Sequence, residues 1–180
     1  LASDKSAHSR LLREARAAAK LNHQNIATIY DVLETDNNVC IAMEYIEGPT
    51  LHELIATQRP EPRRALELVS QICHGLEAAH AGNVIHRDLK PSNIMVDRSG
   101  CCKLVDFGLA KVAGDSDLTI PGTVLGTANY MSPEQALGKE VDARSDIFSL
   151  GVILCELLTG NRPFQRDSLP ATIHAIIHDS

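Results

Sequence analysis

Tryptophan is absent from this chain of 180 residues, and aromatic residues together make up only 3% of it. Hydrophobic residues still account for 44%, which is enough for the core of one domain, and that core must be aliphatic and rich in alanine. Long apolar runs are also lacking. The stretch over residues 150–158 is interrupted by Glu156 and falls far short of the ~20 residues that a membrane-spanning helix needs. We therefore expect one globular domain and no membrane segment in this chain.

Clusters of basic residues are missing as well. The formal net charge is -6 and no run is rich in Lys or Arg, which argues against nucleic acid or an anionic lipid surface as the main partner. The cysteines show neither C-x-x-C spacing nor a neighbouring histidine at metal-ligand spacing. We interpret all five as reduced cysteines that pack as small hydrophobic side chains: Cys40, Cys73, Cys101, Cys102 and Cys155.

The periodicity of apolar residues predicts both helices and strands. Helices are predicted over residues 6–21, 50–57, 63–81 and 144–159, and strands over residues 26–33 and 38–44. The helix over 144–159 is apolar nearly all round, as a helix buried through the middle of a domain would be, and Gly160 is its predicted end. Residues 106–134 have no sustained period, and loops of that length are usually functional.

Residues 86–93 and the triplet at 106–108 carry the chemistry. Between them, two short apolar segments flank turn residues at 97–100, which predicts a hairpin. A hairpin would bring Asn93 and Asp106 to one point, where both side chains could offer oxygen to a hard cation such as Mg²⁺. Asp88 would stand back from the metal and accept a hydroxyl proton. The pattern indicates a phosphoryl-transfer site.

These segments resemble the eukaryotic-like protein serine/threonine kinases, most of all their bacterial branch. Residues 86–93 resemble the catalytic loop of that family, and residues 106–108 resemble its metal-binding motif. Residues 126–134 resemble its substrate-side loop, with Ser-Pro-Glu where Ala-Pro-Glu is usual. Residues 146–151 resemble the start of its buried helix, with Phe148 where Trp is usual. The resemblance covers essentially all of the chain.

The resemblance implies an α+β fold, bilobal and protein-kinase-like. Residues 1–46 would be a remnant of the small β-rich lobe with the hinge, and residues 47–180 an incomplete large helical lobe. It further implies that a Gly-rich loop and a strand lysine precede Leu1, since no G-x-G-x-x-G motif occurs in the chain. An arginine that pairs with Glu134 would lie beyond Ser180. We expect the 180-residue piece alone to be inactive.

The same resemblance implies the roles of four catalytic and metal-binding residues. Asp88 orients the substrate hydroxyl and takes its proton, and Lys90 reaches the transferred phosphate, which goes with Ser/Thr rather than Tyr substrates. Asn93 and Asp106 hold Mg²⁺, with Mn²⁺ as the alternative metal. Taken singly, Asp88 would be interpreted as a turn or cap residue, and it is the combination with Asn93 and the Asp106 hairpin that favours the catalytic role.

Five residues are implied in nucleotide binding. Glu14 would hold the upstream lysine against the α- and β-phosphates, although its arginine neighbours leave a surface ion pair as an equal alternative from the residues alone. The carbonyl of Glu44 and the N–H of Ile46 would bond the adenine edge. Met43 would close the rear of the pocket and Met95 would form its floor.

His86 invites a proton-shuttle role, but the resemblance implies a structural one. It would pack under Phe107 and be tied to Asp146. With Ala18 and Ile29, these side chains would form a stacked spine that sets the position of the first helix.

Regulation is implied at the loop between Asp106 and Glu134. Arg87 is a positive charge that needs an anion, and a phosphorylated loop residue would supply one. Thr123 is the first choice for that residue and Thr119 the second, and Ser116 is a further candidate that lies farther from the end of the loop. Thr127 is assigned to substrate binding instead.

The resemblance therefore implies a protein serine/threonine kinase that uses ATP, autophosphorylates its loop and acts on protein substrates, with dimerisation for autophosphorylation in trans. We expect it in the cytoplasm, with any membrane anchor outside this chain. Two alternatives remain: a small-molecule phosphotransferase of the same superfamily, and a non-catalytic pseudokinase or scaffold. Lys90 and residues 126–134 favour the protein kinase over the first, and intact Asp88, Asn93 and Asp106 favour it over the second.

Overall fold

The computed structural model of the chain describes residues 2–35, 39–107 and 128–179. Within these ranges the chain forms six α-helices and two short antiparallel hairpins. One hairpin lies near the N-terminus and the other near the middle of the chain, and most of the other described elements are helices. The predicted α+β class is confirmed.

The N-terminal part consists of α1 (Ala2–Ala18) and a hairpin of β1 (Ile29–Glu34) with β2 (Val39–Met43). The helix lies a few residues earlier than the predicted 6–21, because the amide of Leu21 turns back to the carbonyl of Ala18 at 3.0 Å and ends it. The predicted apolar stripe is buried at Leu12, Ala15 and Ala18.

The first strand begins later than predicted because the residues before it pair elsewhere. A second hairpin is formed by β3 (Ile94–Val96) and β4 (Cys102–Leu104). The amide of Ala27 donates to the carbonyl of Leu104 at 2.9 Å, and the amide of Leu104 donates to the carbonyl of Asn25 at 2.9 Å. This segment therefore joins the second hairpin to the first, a tertiary pairing that no local pattern predicts.

The helical part contains α2 (Leu51–Thr57), α3 (Pro62–Ala81), α4 (Pro133–Ala136), α5 (Ala143–Thr159) and α6 (Leu169–His178). Thr50, predicted as helical, is the N-cap of α2, where it forms a reciprocal capping box with Glu53. A 3₁₀ turn at Pro91–Asn93 precedes β3. This turn and α4 were not predicted, because both are too short to show periodicity.

Helix α5 lies at the centre of the helical part and packs against α3. It ends as predicted, because Gly160 adopts φ 78, a left-handed conformation in which its amide closes the helix onto the carbonyl of Glu156 at 2.8 Å. Ile153 and Leu157 of α5 are fully buried. No helix in the described ranges has the length and apolar character needed to cross a membrane.

Ile153 tests this placement of α5. We expect Ile153→Ala to lower the free energy of unfolding by about 2–5 kcal/mol, because the truncation leaves a cavity in a tightly packed core. Ile147→Ala is the matched control on the same helix: Ile147 is 56% exposed, so its truncation should change stability by no more than about 0.5 kcal/mol. Chemical denaturation measures both. Equal effects of the two substitutions would contradict the buried position of α5.

Candidate active site

The loop over residues 86–93, which we predict to be the catalytic loop and call by that name below, is anchored on a buried carboxylate of α5. Asp146 is 1% exposed, and its two oxygens accept hydrogen bonds from the amides of His86 and Arg87, each at 2.9 Å. Arg87 has φ 64, a left-handed conformation that is uncommon for a residue with a side chain. Two charge-assisted bonds thus hold a backbone turn that the chain would otherwise avoid.

His80, the third partner of Asp146, was not predicted. Its Nε2 lies 2.7 Å from Oδ2 of Asp146. It stands at the end of α3, where no motif singled it out. Its position relative to α5 becomes visible only when the two helices pack.

His86 has the structural role that was predicted. Its ring is fully buried and stacks on Phe107 with 4.7 Å between the ring centroids. Nε2 donates to the carbonyl of Val105 at 3.1 Å. Burial lowers the pKa of His86 below 6.5, against the opposing effect of Asp146 and Asp88, so the ring is neutral at pH 7. Ala18 and Ile29 belong to the same apolar cluster as Phe107, as the predicted spine requires.

The polar residues of the loop contact one another directly. Nδ2 of Asn93 donates to the backbone carbonyl of Asp88 at 2.9 Å and to its Oδ2 at 3.1 Å. Nζ of Lys90 lies 2.7 Å from the same Oδ2. The carboxylate of Asp88 is therefore oriented by the amide of Asn93, which is buried, and by the ammonium group of Lys90, which is partly buried.

Asp106 lies beside this group because of the hairpin. The amide of Val105 donates to the carbonyl of Asn93 at 3.0 Å, which brings the two ends of the hairpin together as predicted. Asp106 has φ 54 and an exposed side chain. Since Nδ2 of Asn93 is engaged by Asp88, its Oδ1 is the atom left for a cation, and the exposed carboxylate of Asp106 is a second oxygen ligand of the kind that hard divalent cations prefer.

The protein would supply only part of such a metal site. Within the described residues, no group of three or more His, Cys, Asp or Glu side chains is arranged to hold a metal ion. Asn93 and Asp106 offer two oxygen ligands, and Mg²⁺ commonly takes the remainder from water and substrate phosphates. The residues present fit a metal that arrives with its substrate.

The predicted adenine-contacting residues cluster together. Ile46 is buried with Ala27 and Val105, and Met43 and Met95 pack against them. An apolar cleft of about 320 Å³ borders this cluster and reaches Phe107. Gly48 lets the linker after β2 approach closely, because a Cβ there would lie 2.0 Å from the carbonyl oxygen of Val96. The cluster could hold a flat apolar ring.

The side chain of Glu44 forms contacts that the sequence did not predict. Its side chain accepts hydrogen bonds from Nζ of Lys103 at 3.0 Å and from the amide of Thr28 at 3.1 Å. Burial opposes its ionisation, but these bonds outweigh burial and lower the pKa of Glu44. In the described part of the chain, no hydrogen bond is formed by the carbonyl of Glu44 or by the amide of Ile46.

Glu14 and Arg87 differ from expectation, because they pair with each other. Nη1 of Arg87 donates to both carboxylate oxygens of Glu14, at 2.7 and 2.8 Å. Glu14 was expected to hold a lysine, and Arg87 was expected to await a phosphate. The pairing spans 73 positions of the chain, so sequence reasoning could not assign it.

Residues 128–134 of the predicted substrate-side loop are described, and the residue that follows them contacts the catalytic loop. Nε2 of Gln135 donates to the carbonyl of Arg87 at 2.6 Å, a contact that was not predicted. Glu134, expected to lack its partner, hydrogen-bonds to Oγ of Ser145, and this bond lowers the pKa of Glu134. Gly108, Thr119, Thr123 and Thr127 lie outside the described residues.

A loop that carries Asp88 and Asn93, is fixed to a central helix and continues into a hairpin that ends at Asp106 is the arrangement expected of a kinase catalytic domain. The chain belongs to the protein kinase domain family, which matches residues 2–180.

Named relatives narrow this class. The chain is 45% identical over 174 residues to serine/threonine-protein kinase PknB of Mycobacterium leprae, covering 93% of this chain and 28% of the relative. It is 44% identical over 186 aligned positions to PknB of Mycolicibacterium smegmatis, covering 99% of this chain and 30% of the relative. It is 44% identical over 168 residues to serine/threonine-protein kinase PrkC of Bacillus subtilis, covering 93% and 26%. The chain thus spans less than a third of the length of these relatives.

The buried neutral state of His86 makes stability depend on pH. Because the pKa of His86 is lowered in the folded protein, the unfolded chain binds more protons below pH 6.5. The free energy of unfolding should therefore fall as the pH drops from 7.5 to 5.5, by up to about 1.4 kcal/mol per pH unit for this one group.

His86→Phe should remove this part of the pH dependence while keeping a ring against Phe107. The exposed His52 serves as the control, since His52→Gln should retain the parent slope. Urea unfolding at pH 7.5, 6.5 and 5.5 gives the comparison. Identical slopes in the parent and His86→Phe would show that His86 is not held neutral by the fold.

Proposed function

We propose that the protein containing this chain is a serine/threonine-protein kinase that transfers the γ-phosphate of ATP to Ser or Thr hydroxyls of protein substrates. The observation that carries this proposal is the bond from Asn93 to the carboxylate of Asp88, at one end of a hairpin whose other end, at Val105, pairs with Asn93 and is followed directly by Asp106. The names of its relatives support the same activity.

Asp88 acts as the general base in this proposal. Its carboxylate accepts the proton of the substrate hydroxyl as that oxygen forms its bond to the γ-phosphorus, and the bond from phosphorus to the bridging oxygen breaks to release ADP. The amide of Asn93 fixes the orientation of the carboxylate. Lys90, now 2.7 Å from Asp88, is close enough to stabilise negative charge that develops on the transferred group.

Asn93 and Asp106 would hold the metal, Mg²⁺ or alternatively Mn²⁺. Bound ATP and its metal would supply the phosphoryl group and neutralise charge as it develops. The carbonyl of Glu44 and the amide of Ile46 would bond the adenine edge, with Met43 behind the ring and Met95 beneath it. The support for this assignment is the apolar cluster that these side chains form with Ala27 and Val105.

The remaining assignments follow from this function. Residues 1–46 belong to the small lobe and hinge and residues 47–180 to the large lobe. The catalytic domain acts in the cytoplasm, where ATP is abundant and where the cysteines, unpaired in the described structure, stay reduced. A second copy of the protein serves as a substrate when the loop is phosphorylated in trans.

Asp88→Asn tests the activity. In the full-length protein with Mg²⁺, we expect this substitution to lower kcat for phosphate transfer to protein by at least ~10²-fold, the low end of a general-base contribution. Asp31→Asn is the matched control, since Asp31 is exposed and only accepts a bond from the amide of Val32, which Asn can also do. Transfer of labelled phosphate is measured. An Asp88→Asn enzyme as active as the control would rule out the assigned base.

Regulation would act through Arg87. A phosphate on Thr123, or in second place on Thr119, carries a charge of about -1.5 to -2 and would compete with Glu14 for Arg87. Release of Glu14 would then allow it to pair with the lysine that family members provide. The support is the Arg87–Glu14 pair, in which Nη1 of Arg87 bonds to both oxygens of the Glu14 carboxylate.

Loss of the phosphorylated residues should abolish the switch. We expect the Thr119→Ala/Thr123→Ala double variant to fall to the activity of phosphatase-treated parent, at least about tenfold below the phosphorylated enzyme, because a hydrogen bond between charged groups contributes about 1.5–3 kcal/mol. Arg87→Met should be insensitive to phosphatase, whereas Arg98→Met should respond as the parent does, since Arg98 pairs with Glu47 on the surface. A fully active double variant that phosphatase leaves unchanged would refute the switch.

A further inference from the structure

Residues 128–135, which we call the substrate-side segment, are fixed to α5 by Tyr130. Tyr130 is 6% exposed, and its carbonyl accepts a hydrogen bond from Oγ of Ser149 at 2.6 Å. Its hydroxyl donates to Oε2 of Glu156 at 2.5 Å. Tyr130 thus contacts α5 through both its backbone and its side chain. Gln135, five positions later, reaches the catalytic loop at the carbonyl of Arg87.

Glu156 is a carboxylate that needs a cation. Its side chain is 4% exposed, and Nε of Arg162 lies 2.8 Å from Oε1. The guanidinium carbon of Arg162 lies 5.6 Å from the centroid of the Tyr130 ring, within the range of a cation–π contact. Arg162 therefore neutralises the acceptor of Tyr130 and also covers its ring.

The left-handed turn at Gly160 makes this contact possible. On a continuing helix, residue 162 would point about 120° away from Glu156 and lie about 9 Å further along the axis. Instead, Gly160 with φ 78 reverses the chain, and the amide of Asn161 bonds to Oγ1 of Thr159 at 3.1 Å. Phe164 then stacks on Phe148 at 5.4 Å between centroids, which holds the returning segment against α5.

We infer that Arg162 is a positioning residue for the protein substrate, because it keeps Glu156 turned toward Tyr130 and so holds the substrate-side segment in place. This inference rests on the proposed kinase function. Glu156 and Arg162 both line a cleft of about 540 Å³. Without Arg162, the buried carboxylate gains by turning toward the water of that cleft. Tyr130 then loses its acceptor and the segment loosens.

The consequence is a change confined to the protein substrate. Arg162 contacts Glu156 and Tyr130, whereas the apolar cluster that would take the adenine ring is formed by Ala27, Ile46 and Val105. An interaction that binds the substrate equally in the ground and transition states changes KM and leaves kcat as it is. Loss of Arg162 should therefore raise KM for a peptide or protein substrate and leave KM for ATP unchanged.

Arg162→Met in the full-length kinase is the first arm of the test, with steady-state kinetics at varied peptide and varied ATP. We expect KM for the peptide to rise roughly tenfold, within the usual range of coupling between contacting groups, and KM for ATP to stay within about twofold of the parent. Arg166→Met is the matched control. Arg166 lines the same cleft but pairs with Asp179, so both constants should remain near those of the parent.

The double variant Arg162→Met/Glu156→Gln tests the cause. An amide at position 156 accepts the hydroxyl of Tyr130 without needing a cation, so most of the loss in peptide KM should be restored. If Arg162→Met does not fold, Arg162→Lys takes its place, with a smaller rise in peptide KM and the same rescue. A parent that phosphorylates no protein would overturn the proposed function.

Three results would overturn the inference alone. These are an unchanged peptide KM in Arg162→Met, an equal rise in both KM values, and a double variant no better than the single one.

Discussion

The position of the catalytic loop depends on one buried carboxylate, that of Asp146. It accepts two backbone amides from the loop and contacts the ring of His80. The left-handed turn at Arg87 is strained, and such turns persist only where the surroundings determine them. Placing this carboxylate on the first turn of a central helix transfers the rigidity of the core to the residues that follow, Asp88 and Lys90.

The same helix supports the substrate side through its other polar positions. Ser145 bonds to Glu134, Ser149 to the carbonyl of Tyr130, and Glu156 to its hydroxyl. A buried polar group destabilises the fold unless it is hydrogen-bonded, and each of these three side chains has a partner outside the helix. Helix α5 is therefore a common platform, and its polar residues explain why a helix so apolar overall still determines a unique arrangement of loops.

Contacts formed within a short stretch of the chain could be predicted from the sequence, whereas contacts between separate helices could not. Asn93 and Asp106 stand at the two ends of a single hairpin, and turn residues between two apolar segments were sufficient to predict that hairpin. The contacts of Glu14, His80 and Gln135 with the catalytic loop or its anchor were not predictable, because each depends on how separate helices pack. The helix that ends at Gly160 was predicted in place, yet the return of the chain to Glu156 depends on a backbone turn whose direction the residues alone do not specify.

Exposure separates the two ion pairs that flank the loops. The Glu14–Arg87 side chains are 30% and 32% exposed, and a pair that water reaches contributes only about 0–1 kcal/mol. A doubly charged phosphate can replace such a partner at little cost. The Glu156–Arg162 pair has its carboxylate 4% exposed, and separating it would leave a buried charge. The Glu14–Arg87 pair is thus suited to exchange partners during regulation. The Glu156–Arg162 pair is suited to remain intact throughout catalysis.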